Sequence, residues 1–307
     1  MNIKLKNIAK ISTADVTIEK ITVIAGENSS GKSTIGKVLY SILENDKEDL
    51  ETRLNAHFFG TLLNLHKDSY GLIDFNSDDF STKIEIKNDI FKIDTRGKSN
   101  VKVVYIDDPH ILDIPKNVLK KLIGIYPEYR INLANTLFSN KDTNENEYVT
   151  AIADIVNGKL VIKNEAFFLN LNGNLIDIKN VSSGMKTLLI LERLIALGKI
   201  DKHTLLILDE PETHLHPDWQ VFLAEFVTAL AAKENVKILI NTHSPYLLNA
   251  IEVFSNKNKI VSSLKFYLTE NYENSSNIVD YTENVEEVYK KMVVPFLKLD
   301  EEAYLNE

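Results

Sequence analysis

Residues 21–43 read ITVIAGENSSGKSTIGKVLYSIL, a stretch with three parts. Ile21–Ala25 is a short apolar run with β-branched residues, the composition of a strand buried on both faces. Residues 35–43, IGKVLYSIL, space their apolar side chains as a helix does. Between the two, Gly26-Glu27-Asn28-Ser29-Ser30-Gly31-Lys32-Ser33 fits GxxxxGK[ST] without deviation. A plain Gly/Ser turn ahead of an ordinary helix is the competing reading. A strand entering and a helix leaving favour a phosphate cradle instead. The glycines let the backbone curl so that successive N–H groups point inward, and the helix N-terminus adds its positive dipole. Gly26, Asn28, Ser29, Ser30, Gly31, Lys32, Ser33 and Thr34 are therefore expected to line a nucleotide site. Lys32 would reach the β- and γ-phosphates, and the Ser33 hydroxyl would ligate Mg²⁺.

A second stretch, LLILDEPETHLHP at 205–217, begins apolar and breaks into acid. Two adjacent carboxylates are costly to bury unpaired, so Asp209 and Glu210 need a charge beside them. A phosphate-bound Mg²⁺ supplies it. Asp209 would hold that metal, through water, since Mg²⁺ keeps part of its hydration shell. Glu210 would be the general base that polarises the attacking water. The competing reading is a pair of solvated carboxylates at a strand end. His214 and His216 form an H-x-H pair with no third ligand evident, which argues against a metal site.

Two further pieces follow the same logic. NVSSGMK places Ser182, Ser183 and Gly184 at the start of a helix, which reads alone as an N-cap and beside a cradle as a second anion-seeking helix start. VKILINTHSP ends a strand with His243, where an imidazole would touch a γ-phosphate.

Around these motifs the chain alternates strands and helices, the pattern of an α/β fold with a largely parallel core sheet. STKIEIKNDIFKID reads as a hairpin, residues 115–138 as a helix, and GKLVIKNEAFFLNLNGNLIDI as strands with an Asn-Gly turn. The tail 282–305 is helical by period, with Pro295 an expected kink or break. Core halves are expected at about 1–47 and 156–270, an insertion lobe of helix and strand at about 48–155, and a helical tail at about 282–307, all within one domain. NKDTNENE reads as a polar loop.

Composition bounds the rest. The 307 residues are 44% hydrophobic, ample for a core, and lack cysteine, which excludes disulfides and thiolate metal sites. A reducing cytoplasm fits that usage. No signal-like h-region and no run of 18 apolar residues is present, so no membrane contact is expected. A net charge of −9 argues against a surface coated for nucleic acid, though a local basic groove would be hidden in that total.

The order of cradle, Ser-rich helix start, Asp-Glu strand and His strand resembles the ATP-binding cassette (ABC) superfamily. VSSGMK looks like its signature motif, LLILDEP its Walker B strand and NTHS its switch histidine. DEPETHLHP followed by NTHSPYLL, together with VVYIDDPHILDI, resembles the ATPase module of the OLD family and related ATPases of bacterial anti-phage systems. The resemblance implies an ABC-type P-loop ATPase head with a mixed sheet, using ATP and Mg²⁺. It implies a homodimer or higher homo-oligomer in which Ser182, Ser183 and Gly184 of one subunit complete the ATP site of another. His214 and His216 would lie in the loop facing the partner. The chain departs from the pattern in three places. Ser183 stands where transporter cassettes usually have Gly, and Met185 where they have Gln. No Gln follows Ile106, so Asp107 or Asp108 would couple metal and lobe there, although a solvated strand end explains that pair equally well. The repair-type coiled coil is missing, and too few residues follow His243 for the Toprim nuclease of full-length OLD proteins.

These features imply an ATP-driven switch that regulates a separately encoded effector, a nuclease or toxin, in anti-phage defence. A DNA-maintenance ATPase that clamps DNA as an ATP-driven dimer is the alternative. A transporter subunit fits worst, for want of the Gln.

Overall fold

The structure is a computed structural model that describes residues 1–44, 49–58, 62–63, 70–139 and 144–304, without the side chains of 295–304. The chain opens with a hairpin, β1 (Asn2–Ile8) and β2 (Ile11–Thr17), then the expected unit of β3 (Ile21–Ala25) and α1 (Lys32–Leu43). After α2 (Leu50–Phe58) come β4 (Tyr70–Asn76), β5 (Phe80–Lys87), β6 (Ile90–Gly97) and β7 (Lys102–Ile106). Next are α3 (Lys116–Leu119), α4 (Glu128–Leu137), α5 (Glu147–Val156) and a small meander, β8 (Lys159–Lys163), β9 (Ala166–Leu171) and β10 (Asn174–Asp177). The second half alternates α6 (Ser183–Ala196), β11 (Thr204–Asp209), α7 (Pro217–Lys233), β12 (Lys237–Thr242) and α8 (Pro245–Lys257). It closes with β13 (Leu264–Tyr272), β14 (Ser275–Asp280) and α9 (Val285–Tyr304).

Eleven strands form one mixed sheet in the order β6-β5-β4-β1-β2-β14-β13-β3-β12-β11-β7. From β13 to β7 every pairing is parallel. From β6 to β2 every pairing is antiparallel. The parallel half is covered on both faces. Leu206 and Leu208 join a core with α5–α8, whereas Leu205 and Ile207 face the opposite way, into a core with α1 and the antiparallel strands. All four are fully buried. The unbroken apolar run in LLIL follows from that: period two sends successive side chains to opposite faces, and both are dry. Each such side chain contributes roughly 1.5–3 kcal/mol.

Residues 70–106, within the stretch expected as an insertion lobe, hydrogen-bond into this sheet as β4–β7. The single helix expected over 115–138 is instead α3, a 3₁₀ turn at Lys120–Leu122, and α4. Gly124 takes a left-handed φ of 80°, and α4 starts just after Pro127, whose ring bars a helix from running into it from the N-terminal side. Pro295 does not end the tail helix, because α9 runs through it to Tyr304. A missing N–H costs that helix one bond of its ladder without terminating it. The Asn-Gly turn is present, with Asn172 and Gly173 at φ 50° and 93° between β9 and β10. Of the expected polar loop, residues 140–143 lie outside the described residues. Among the described residues no helix is long and apolar enough to cross a membrane.

Candidate nucleotide site

The parallel strands β3, β11 and β12 end side by side, and their loops carry the motif residues to one place. The cradle is shaped by backbone that only glycine tolerates. Gly26 has φ 144°, and a Cβ there would fall 1.9 Å from Thr269 Oγ1. Gly31 has φ 92° and would press a Cβ to 2.6 Å from Ile11 Cδ1. Gly31 is also the N-cap of α1, and no side chain caps that helix start. Its first-turn N–H groups and dipole are thus left for an anion. The end of β13 holds the loop from the side: Thr269 Oγ1 donates to Ser30 Oγ at 2.7 Å, and Asn271 Nδ2 donates to Glu27 Oε2 at 2.9 Å.

Lys32 is almost fully buried. Its Nζ donates to the Gly26 and Glu27 carbonyls at 2.9 and 2.7 Å and lies 3.3 Å from Glu210 Oε1. Glu210 holds a left-handed φ of 50°, a strained conformation for glutamate. Its N–H donates to Asn241 O. Its carboxylate lies 3.6 Å from His243 Nδ1. Lys32, Glu210 and His243 therefore converge from three elements: a cation, a base and an imidazole at the mouth of an anion cradle.

Asp209, half-buried, accepts hydrogen bonds from Tyr105 Oη at 2.9 Å and Asn241 Nδ2 at 2.8 Å. Burial pushes its carboxyl above the usual range and nearby Asp107 adds to the rise, while hydrogen bonds from Ser33, Asn241 and Tyr105 oppose it. A half-buried carboxylate beside a serine hydroxyl is a hard oxygen donor set, and the chemistry suits Mg²⁺ rather than a soft metal. Ser33 and Asp209 would hold the ion, which would neutralise charge on a bound polyphosphate.

Asp107 and Asp108 do not present free carboxylates. Arg130 holds Asp107 through Nε and Nη2 at 2.9 and 2.8 Å, and its Nη1 reaches Asp108 at 3.0 Å. Tyr129 Oη adds a 2.6 Å bond to Asp107. The pair fastens α4 to the end of β7, beside Asp209. His216 is the N-cap of α7, accepting from Asp218 N–H, and no group of three or more His, Asp or Glu ligands occurs among the described residues.

Ser182 caps α6 by accepting from Met185 N–H. A Cβ on Gly184 would meet Leu215 Cδ2 at 2.7 Å and the His214 carbonyl at 2.8 Å, so α6 sits flush on the loop after β11. Ser183 and His214 line a cleft of about 350 Å³ together with Ser33, Asp107, Asp209 and Glu210. Within one chain the α6 start and the Asp209 end of β11 thus flank a common cleft.

Several residues of this site carry no motif. Glu212 is buried, and its Oε1 accepts from Thr242 Oγ1 at 2.6 Å and from the His243 N–H at 2.9 Å. It seats the histidine loop. Its place two residues after Glu210, next to Pro211, carries no local sign of burial. Tyr105, Asn241 and Thr269 lie on strands with no motif to mark them. Arg130 and His110 reach the site only through the chain's folding.

The chain resembles known proteins in sequence and in fold. A family model described as "AAA domain, putative AbiEii toxin, Type IV TA system" matches residues 115–249, which include Ser183, Asp209, Glu210 and His243. The Retron Vc95 probable ATPase of Vibrio cholerae serotype O1 biovar El Tor is 30% identical over 105 residues, covering 31% of this chain. The aligned part is 20% of that protein, so the chain spans about a fifth of the length of this curated relative. Among solved structures, an SMC head bound to the C-winged helix domain of ScpA superposes with a TM-score of 0.59 at 14% identity, covering 91% of this chain and 97% of that one. A Pyrococcus furiosus-derived structure, an Smc head domain with an extended coiled coil bound to the C-terminal domain of ScpA, gives 0.58 at 12% identity, covering 95% and 98%. The SMC head domain from Thermotoga maritima gives 0.51 at 14% identity, covering 91% and 97%. The fold is that of SMC head domains.

Proposed function

We propose that this chain binds ATP with Mg²⁺ and hydrolyses it as an ABC-type switch. The observation that carries the reading is the convergence of Lys32, Glu210 and His243 on the glycine-built cradle, with Ser33 and Asp209 lining one cleft beside it. Lys32 and the α1 N-terminus take the phosphates, and Glu210 draws a proton from the attacking water. His243, seated by Glu212, contacts the γ-phosphate. Two copies assemble so that Ser182, Ser183 and Gly184 of one complete the ATP site of the other. The OLD-like phrases DEPETHLHP and NTHSPYLL, together with the name of the retron relative, support a cytoplasmic anti-phage setting in which the oligomer regulates a separately encoded nuclease or toxin.

Replacing Glu210 by Gln keeps size and hydrogen bonding while removing the base. Hydrolysis is expected to fall by roughly 10²–10⁴ with ATP affinity retained. A Glu210→Gln protein that hydrolyses ATP at the parental rate places the base elsewhere.

The likeness to SMC heads favours a second reading, an ATP-driven dimer that clamps DNA itself. It requires duplex DNA affinity that falls steeply between about 50 and 200 mM salt. An ATP-loaded Glu210→Gln protein without such affinity leaves the effector reading in place.

A further inference from the structure

We propose that His110 is a positioning residue for Ser183, braced by Asp113 and Lys186, and that the brace serves ATP bound on a second copy of this chain. The inference rests on the composite-site reading above. Ser183 Oγ lies 3.1 Å from His110 Nε2, and His110 Nδ1 lies 2.9 Å from Asp113 Oδ2. Lys186 Nζ closes the ring, donating to Asp113 Oδ2 at 2.9 Å and lying 2.7 Å from Oδ1 in an ion pair. Ser183 and Lys186 stand three residues apart on α6, while His110 and Asp113 lie on the 3₁₀ turn Pro109–Asp113 that follows β7. Both ends of the brace grip one face of one helix start.

The chemistry sets the direction of each bond. A carboxylate only accepts, so His110 donates from Nδ1, and a ring in its neutral form offers Nε2 as an acceptor. The Ser183 hydroxyl donates to it, which fixes the Ser183 rotamer and turns the oxygen in a defined direction. Lys186 is 2% exposed, so the acid that orients the histidine is itself held by a buried cation.

Capping does not account for this arrangement. Ser182 already caps α6 by accepting from Met185 N–H, and the Ser183 side chain is not the one that caps this helix. Ordering four polar side chains costs conformational entropy, at a helix start that needs none of them. Ser183 and His110 line the same cleft as Ser33, Asp209 and Glu210. The same connectivity activates serine nucleophiles in acyl transfer. The neighbouring phosphate cradle favours contact with a phosphate instead.

A mixing experiment tests the assignment. His110→Ala is expected to bind ATP as the parent does, since its own cradle is intact. Its kcat should fall about tenfold with KM little changed, the scale of one lost hydrogen bond. His110→Gln, which can still accept from Ser183, should recover part of the loss. His110→Ala mixed with Lys32→Ala should regain up to about a quarter of the parental rate, because half the dimers are mixed and each holds one complete site. Ser183→Arg mixed with Lys32→Ala is the reference pair. If the reference pair regains activity and the His110 pair does not, His110 acts on its own chain's cradle. The proposal is then overturned while the composite site stands. If neither pair regains activity, the composite site is wrong and the brace falls with it. Parental turnover by His110→Ala, or labelling of Ser183 by a fluorophosphonate, overturns the brace alone.

Discussion

Lys32 shows at the residue scale how little of a site depends on one contact and how much on enclosure. Its ammonium is 3% exposed and meets two carbonyls and Glu210. A buried point charge with flexible reach is what a polyphosphate needs. Lys32→Ala is therefore expected to abolish ATP binding in calorimetry, and tight binding by that variant refutes the cradle at 26–33. The motif residues were legible because each breaks a local rule: glycines inside a strand-to-helix link, and acids at the end of a dry strand. Glu212, Tyr105 and Asn241 break no such rule. Their polar atoms point into the site only after β7, β11 and β12 lie side by side, and no local pattern encodes that neighbourhood.

At the scale of elements, α6 joins the site to the core. Its N-terminal turn carries Ser183, and nine residues on, Glu192 is buried with one carboxylate oxygen unpartnered. Burial pushes the Glu192 carboxyl up to about 7, outweighing the nearby Arg193 and Lys159. The folded protein thus holds a proton that the unfolded chain releases near pH 4.5. Glu192 stabilises the fold fully below that pH, and the contribution is lost as pH rises through about 7. Glu192→Gln removes the cost of ionisation. Its melting temperature relative to the parent should climb between pH 5 and 8 and change little below pH 4.5. A difference flat across that range means the carboxyl is not buried in the acid form. Element types were legible wherever the apolar period was clean, as in α1, α6, β11 and β12. The β13–β14 hairpin was not read, because ENYENSSN mixes strand and turn residues. It forms by pairing with β3 and β2 on either side. The break in the expected 115–138 helix came from Gly124 and Pro127, which the apolar spacing alone outweighed on paper.

Over the whole molecule, a question of symmetry remains. One cradle takes one triphosphate, and the start of α1 already points at it. The start of α6 is a second anion-seeking terminus, braced by His110 and packed so tightly on the His214 loop that Gly184 admits no side chain. A two-fold dimer would offer it a second triphosphate, since each chain would then present its α6 start to the other's cradle. ATP would be buried at the interface, and its removal by hydrolysis would release the pair. Glu210→Gln protein with ATP and Mg²⁺ should accordingly sediment at twice the mass of the same protein without nucleotide. Adding Ser183→Arg to that variant should abolish the shift while ATP still binds, because a guanidinium at the helix start, although it shares a cleft with Ser33, props the interface apart. Retention of the ATP-dependent mass shift in the double variant would mean that the chains meet through another surface, and that the α6 start serves the nucleotide of its own chain.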